Sequence, residues 1–140
     1  MSMLKIFSDE WFEKFMENIN NNENYKNYAH DWEGDIILFI VGDQISDSLR
    51  AGLNKIVRLK LYHGKCISLE FLKKIPEIKD LYVLEGKANV WENILSGKTD
   101  IITAILKGEI KVTGNMKNLI KYIAAARELV KSAQNINLKV

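Results

Sequence analysis

The chain has 140 residues, 47% hydrophobic and 27% charged, with a formal net charge of +2. That length suits a single domain spanning 1–140, able to bury roughly 68–70% of its unfolded surface, and so small a charge is no footprint of a nucleic-acid binder. The longest apolar run, Ile36 to Val41, is far short of the ~20 residues that a membrane-spanning helix needs.

In chain order, Ser8 has the chemistry of a helix N-cap, with Asp9 and Glu10 placed to complement the helix dipole. Phe7 and Phe12 have the spacing of a hydrophobic staple, and Phe12, Phe15, Met16 and Ile19 recur at helical spacing. The helix is expected to fade in the asparagine-rich stretch Asn20 to Asn24, because asparagine side chains compete for backbone hydrogen bonds. His30, Asp31 and Trp32 read as a loop. Asp35 to Val41 is apolar at both parities, as in a strand covered on both faces.

Gln44 to Gly52 is polar and reads as a loop. Ile56 to Tyr62 and Cys66 to Leu72 flank His63-Gly64-Lys65 as a hairpin. Val57, Leu59, Leu61, Ile67, Leu69 and Phe71 make its apolar face, which puts Cys66 on the wet side with Arg58, Lys60, Ser68 and Glu70. Pro76 marks a break within Lys73 to Lys79. Leu81 to Val90 reads as a fourth strand and Glu109 to Thr113 as a fifth.

Between the last two strands lie two short helical pieces. Asn89 and Glu92 form an Asn-x-x-Glu capping arrangement, Trp91, Ile94 and Leu95 share a face, and Gly97 ends the piece. Thr99 and Asp100 start the second, with Ile101, Ile102, Ile105 and Leu106 as its stripe and Gly108 as its stop. Asn115 then caps a long helix carrying Met116, Leu119, Ile120, Ile123, Ala126 and Val130. The order predicts an α+β fold with most helices gathered late. Helices of about two turns are poor builders of a solid core, and a sheet roofed by such pieces can leave a cleft where apolar ligands sit.

Neither histidine, His30 or His63, has a cysteine or carboxylate at metal-ligand spacing. Cys66, the only cysteine, has no activating neighbour in the sequence and reads as structural; a lone thiol fits a reducing, cytoplasmic setting. The first ten residues lack the apolar core of a signal peptide. Gly97-Lys98-Thr99 lacks the preceding glycine and the preceding strand of a phosphate-binding loop. The aromatics are scattered and are not interleaved with basic residues as a nucleic-acid stacking surface would require. No catalytic residue, cofactor or metal site is predicted.

The stretch "LYVLEGKANVWENILSGKTDIITAILKGEIKVTGN" followed by an apolar helix resembles a sterol carrier protein-2 type domain, here standing alone. "WEGDIILFIVGD" and "LYHGKCISLEFL" resemble the earlier strands of that family more loosely. The resemblance implies a five-stranded, largely antiparallel sheet with helices packed over one face, an apolar cavity between sheet and helices, and no catalytic residues. The final Asn137-Leu138-Lys139-Val140 departs from the Ser-Lys-Leu address found on some relatives.

The implied function is non-catalytic binding or carrying of fatty acyl chains, acyl-CoA or sterol-like lipids. Its lining is expected to be Trp91, Ile94, Leu95, Ile101, Ile102, Ile105, Leu106, Ile110, Val112, Met116, Leu119, Ile120 and Ile123, the apolar sides of consecutive elements. The alternative is an interaction or dimerisation module, accessory to an enzyme complex, that closes the same faces on a partner. Residues 98–140 carry 8 basic and 3 acidic side chains, against 12 and 15 in residues 1–97. Lys98, Lys107 and Lys111 are therefore candidates to meet an anionic headgroup, although such lysines also read as the solvated faces of amphipathic helices. The expected partner is a lipid or other apolar small molecule and not a nucleic acid; transient contact with a membrane surface and a homodimer stay open.

Overall fold

The computed structural model describes residues 4–46, 48–79 and 81–136. Asn137 to Val140, read above for a targeting address, lie outside them. Helices α1 (Asp9–Asn20) and α2 (Glu23–Tyr28) lead into strands β1 (Glu33–Val41), β2 (Asn54–Tyr62), β3 (Lys65–Leu72) and β4 (Tyr82–Lys87). Helices α3 (Ala88–Leu95) and α4 (Ile101–Leu106), strand β5 (Lys111–Thr113) and helices α5 (Met116–Lys121) and α6 (Ile123–Gln134) follow. The α+β expectation with five strands holds.

The sheet runs in the order β3-β2-β1-β4-β5. All neighbours are antiparallel except β1 and β4, which are parallel from Ile36↔Tyr82 to Val41↔Lys87. Parallel pairing needs a crossover. The β3–β4 connection supplies it on the outer face, where Ile75 and Leu81 pack on Ile37, Ile56 and Val83. Helices cover the other face, so β1 is apolar at both parities for two different reasons.

At α1 the expected cap is present: the Trp11 amide donates to Ser8 Oγ at 3.2 Å. Phe7 and Phe12 stack with ring centroids 6.3 Å apart, as the staple spacing requires. The asparagine-rich stretch does more than end α1. Asn22 Oδ1 accepts from the Tyr25 amide at 2.9 Å and so opens α2, a helix the sequence pattern did not indicate. The same side chain donates to Ser132 Oγ at 3.0 Å and ties this corner to α6.

Three further expectations change. A bulge between Lys60 and Leu61 sets Leu61 opposite Cys66 and Leu59 opposite Leu69. Cys66 therefore points inward and is buried, while Ile67 is 58% exposed. One extra residue inverts the parity on its far side. The fourth strand stops at Lys87 and α3 begins at Ala88, so Asn89 lies inside the helix and does not cap it. The expected long last helix breaks at Tyr122, whose ring packs edge-on against Trp32 at 4.9 Å.

The hairpin turn between β2 and β3 needs left-handed backbone at both central residues, His63 (φ 54°) and Gly64 (φ 79°). A Cβ on Gly64 would stand 2.8 Å from Lys26 Cα, because α2 rests directly on the turn. Gly64→Ala should therefore lower stability by about 2–4 kcal/mol. The expected observation is a lower urea midpoint at unchanged slope.

Candidate functional site

Between the sheet and the helices lies a cavity of roughly 320 Å³. Its floor is the inner face of three strands, Ile36, Leu38 and Ile40 of β1, Leu59 of β2 and Leu84 of β4. One wall is aromatic: Phe7 with Trp11, Phe12 and Phe15 of α1. Trp11 and Phe12 meet edge-on at 4.9 Å, which holds both rings in place. The roof is α6, through Ile123, Ala126, Leu129, Val130 and Ala133, and the remaining walls come from α3, α4 and α5. Every lining residue is apolar or aromatic.

Of the lining expected from sequence, Trp91, Ile94, Leu95, Ile101, Ile102, Ile105, Leu106, Met116, Leu119, Ile120 and Ile123 stand around this space. Ile110 and Val112 do not. Ile110 is turned into the sheet, where a Cβ on Gly86 would come within 2.4 Å of its Cδ1; the missing side chain of Gly86 makes the seat that Ile110 fills. Val112, opposite Leu84 on the edge strand, is half-buried against the core. Sequence reasoning missed the floor, the α1 wall and the α6 roof beyond Ile123, namely Ala126, Leu129, Val130 and Ala133. The alternation of Ile36, Leu38 and Ile40 and the helical spacing of Phe12 and Phe15 were visible, but nothing in them says that they face side chains between Trp91 and Ala133.

The two short helices are held by polar contacts at the edge. Asp43, just after β1, accepts from the Asn89 amide at 2.9 Å through Oδ2 and from the Ser46 and Ile45 amides at 2.6 and 3.0 Å through Oδ1. It thus takes the capping role expected of Asn89. Glu92 is held by the hydroxyls of Ser46 and Ser48. Gly97 (φ 81°) and Gly108 (φ 77°) lie just past the ends of α3 and α4 in the left-handed conformation that terminates helices. Gln134 Nε2 donates to Ile94 O at 3.1 Å and joins the end of α3 to α6.

α5 has no buried residue. The mouth lies beside it: Leu106 is 82%, Ile120 58% and Met116 41% exposed, although all three also line the cavity. Of the three lysines singled out, only Lys107 is next to this opening. Lys98 lies at the far end of α4, and Lys111 shares the outer sheet face with its cross-strand neighbour Glu85.

The reactive side chains sit elsewhere. His63 Nε2 is 2.6 Å from Glu33 Oε2 on the exposed hairpin, and His30 Nδ1 is 2.9 Å from Asn27 O. Burial pushes the Cys66 thiol up to about 12, overcoming its hydrogen bond with the backbone of Ser68. It is uncharged and a poor nucleophile at neutral pH. No group of three or more histidine, cysteine or carboxylate side chains among the described residues could hold a metal, and no helix among them is long and apolar enough to cross a membrane.

The backbone is similar over 94% of this chain to a crystal structure of sterol carrier protein 2, of which it covers 98%, with a TM-score of 0.80 and 27% sequence identity. The chain has a sterol carrier protein 2 fold. A solution structure of a conserved hypothetical protein from Thermus thermophilus is as similar, at TM-score 0.80 and 27% identity over 97% of this chain and 93% of that one. The fold also recurs inside an enzyme: 86% of this chain is similar to 16% of a sec-alkyl sulfatase from Pseudomonas, at TM-score 0.52 and 19% identity. No family model and no curated protein matches the sequence.

Burial alone would raise the Asp43 carboxyl, but the Asn89, Ser46 and Ile45 amides outweigh it and hold the group below the ordinary carboxylate range. A depressed folded-state pKa gives stability that is complete above the unfolded value of about 3.9 and is lost as pH falls through the lower folded value. Asp43→Ala leaves three amides without this acceptor and should cost about 2–3 kcal/mol at neutral pH. Urea titrations should show the gap to the parent narrowing below pH ~4; a gap independent of pH would mean that the charge contributes nothing.

Proposed function

We propose that this chain binds and carries a single apolar molecule, a fatty acyl chain being the best fit, and performs no chemistry on it. The observation that carries the reading is the 320 Å³ cavity bounded wholly by apolar and aromatic residues. Ligand pockets run ~300–1,000 Å³, so this space suits a narrow chain better than a large ring system. A solid core would have filled it, and this unfilled space favours a ligand over the assembly reading, in which the same faces close on a partner. Similarity to sterol carrier protein 2 supports the lipid class. The single buried thiol is compatible with a reducing, cytoplasmic setting.

An acidic headgroup would remain at the mouth, because burying a bare carboxylate among these side chains costs several kcal/mol. Lys107 is the cation placed to meet it there; an exposed pair contributes only ~0.2–1 kcal/mol, so the acyl chain supplies most of the affinity.

Affinity should therefore rise with chain length by ~0.8 kcal/mol, roughly four-fold, for each added CH₂ until the cavity is full. Native mass spectrometry and displacement of a fluorescent fatty acid measure this directly. Ile105→Asp puts a carboxylate in the lining and should abolish binding while circular dichroism stays native. Lys107→Glu should weaken a fatty acid modestly and a neutral alcohol not at all. No co-purifying lipid and no saturable displacement at any chain length would sink the reading.

A further inference from the structure

The cavity runs along α6. Its lining on that helix begins at Ile123, next to α5 and the mouth, and ends at Ala133. These two residues stand ten positions apart, about 15 Å along a helix axis. The far end is closed by a thin partition. Trp11, Leu95 and Ala133 line the cavity on one side and, on the other, a groove of roughly 660 Å³ that Ile6, Gln134 and Asn135 also bound. Among the described residues, these three side chains from α1, α3 and α6 are the ones the two spaces share.

The partition is thin but firmly braced. The Trp11 ring meets Phe7 and Phe12 edge-on at 5.5 and 4.9 Å and lies 5.8 Å from Phe15. Phe7 holds left-handed backbone, φ 64°, which is an outlier for so bulky a side chain. Such a conformation persists only where its surroundings over-determine it, and it concentrates where a side chain must be held in one place. Here the strained residue is the one whose ring backs Trp11. A second thin wall, Ile94, Ile101 and Val130, divides the cavity from an opening lined by Asp100, Arg127 and Lys131. That wall stands partway along α6, not at its end, and the charged groups behind it offer an alkyl tail no apolar surface.

We propose that Trp11, with Leu95 and Ala133, is the end-stop that sets the longest acyl chain this cavity takes up. The inference rests on the carrier reading and adds to it the residue that determines chain-length specificity. With the headgroup at the mouth, the methyl end of the chain meets the indole. A fully extended chain rises about 1.2 Å per bond, so about a dozen bonds span the distance from mouth to partition. Methylenes beyond that number remain at the mouth in water and add no affinity. Removing a partition side chain joins the cavity to the groove and lets the tail run on.

The test is displacement of a fluorescent fatty acid by saturated acids from octanoate to eicosanoate. For the parent protein the affinity should rise with length and level off near laurate. Trp11→Ala should carry the rise on to longer chains, so that the ratio of stearate to octanoate affinity grows roughly ten-fold or more, about four-fold for each further CH₂ buried. Leu95→Ala opens the same partition from α3 and should shift the plateau in the same direction. Ala133→Leu thickens it and should end the rise at a shorter chain. Phe15→Ala, which widens a side wall, should change affinity at every length without moving the plateau. Should Trp11→Ala lose its native circular dichroism, the Leu95 and Ala133 variants decide the matter. A parent whose affinity keeps rising through eicosanoate overturns the proposal, and so does a plateau that none of the partition variants moves. In either case the carrier reading stands, because the parent still binds. No saturable displacement by any acid would overturn both.

Discussion

The inner face of β1 is the surface on which the rest of the architecture is assembled. Ile36, Leu38 and Ile40 present a continuous apolar floor at the centre of the sheet, flanked by Leu59 on one neighbour and Leu84 on the other. Apolar area of this kind has to be removed from water. The helices available to cover it are mostly short, and α4 and α5 have only six residues each. Pieces that short can roof a floor without filling the space above it.

The polar contacts are arranged so that this gap persists. Hydrogen bonds tie the helical layer down at its margins: Asp43 at the start of α3, Gln134 at its end, and Asn22 between α2 and α6. Asn118 Nδ2 adds one more, donating to the Tyr82 hydroxyl at 3.1 Å and holding α5 to β4. None of these residues reaches the cavity. The aromatic wall of Phe7, Trp11, Phe12 and Phe15 is similarly self-supporting, because its rings brace one another. A layer fixed at its edges and braced on one side does not need a filled centre to stand.

This division of labour also separates the stable part of the molecule from the adaptable part. The sheet, α1 and α6 hold most of the fully buried side chains, while α5 buries none and α4 buries only Ile101 and Ala104. Elements with few buried contacts open at low free energy. They are also the ones beside the mouth, which is where movement would serve entry and exit.

Much of the local structure was legible in the order of residues alone. The N-cap at Ser8, the staple of Phe7 and Phe12, the hairpin turn at His63-Gly64, and the stops at Gly97 and Gly108 are local events, fixed by side chains and backbone a few residues apart. The apolar stripes of α3, α4 and α5 were readable for the same reason, since helical spacing alone defines them. Other features exist only in the assembled molecule. The bulge that turns Cys66 inward depends on pairing across the hairpin, and the cap at the start of α3 comes from Asp43, 46 positions earlier. Ile110 left the expected lining because Gly86, on another strand, offers it a seat. The floor and the aromatic wall belong to the site only because the crossover between β3 and β4 sets β4 beside β1 and brings residues 88–123 over the first half of the chain. Local spacing specifies which face of an element is apolar; what that face meets is a property of the assembled layers.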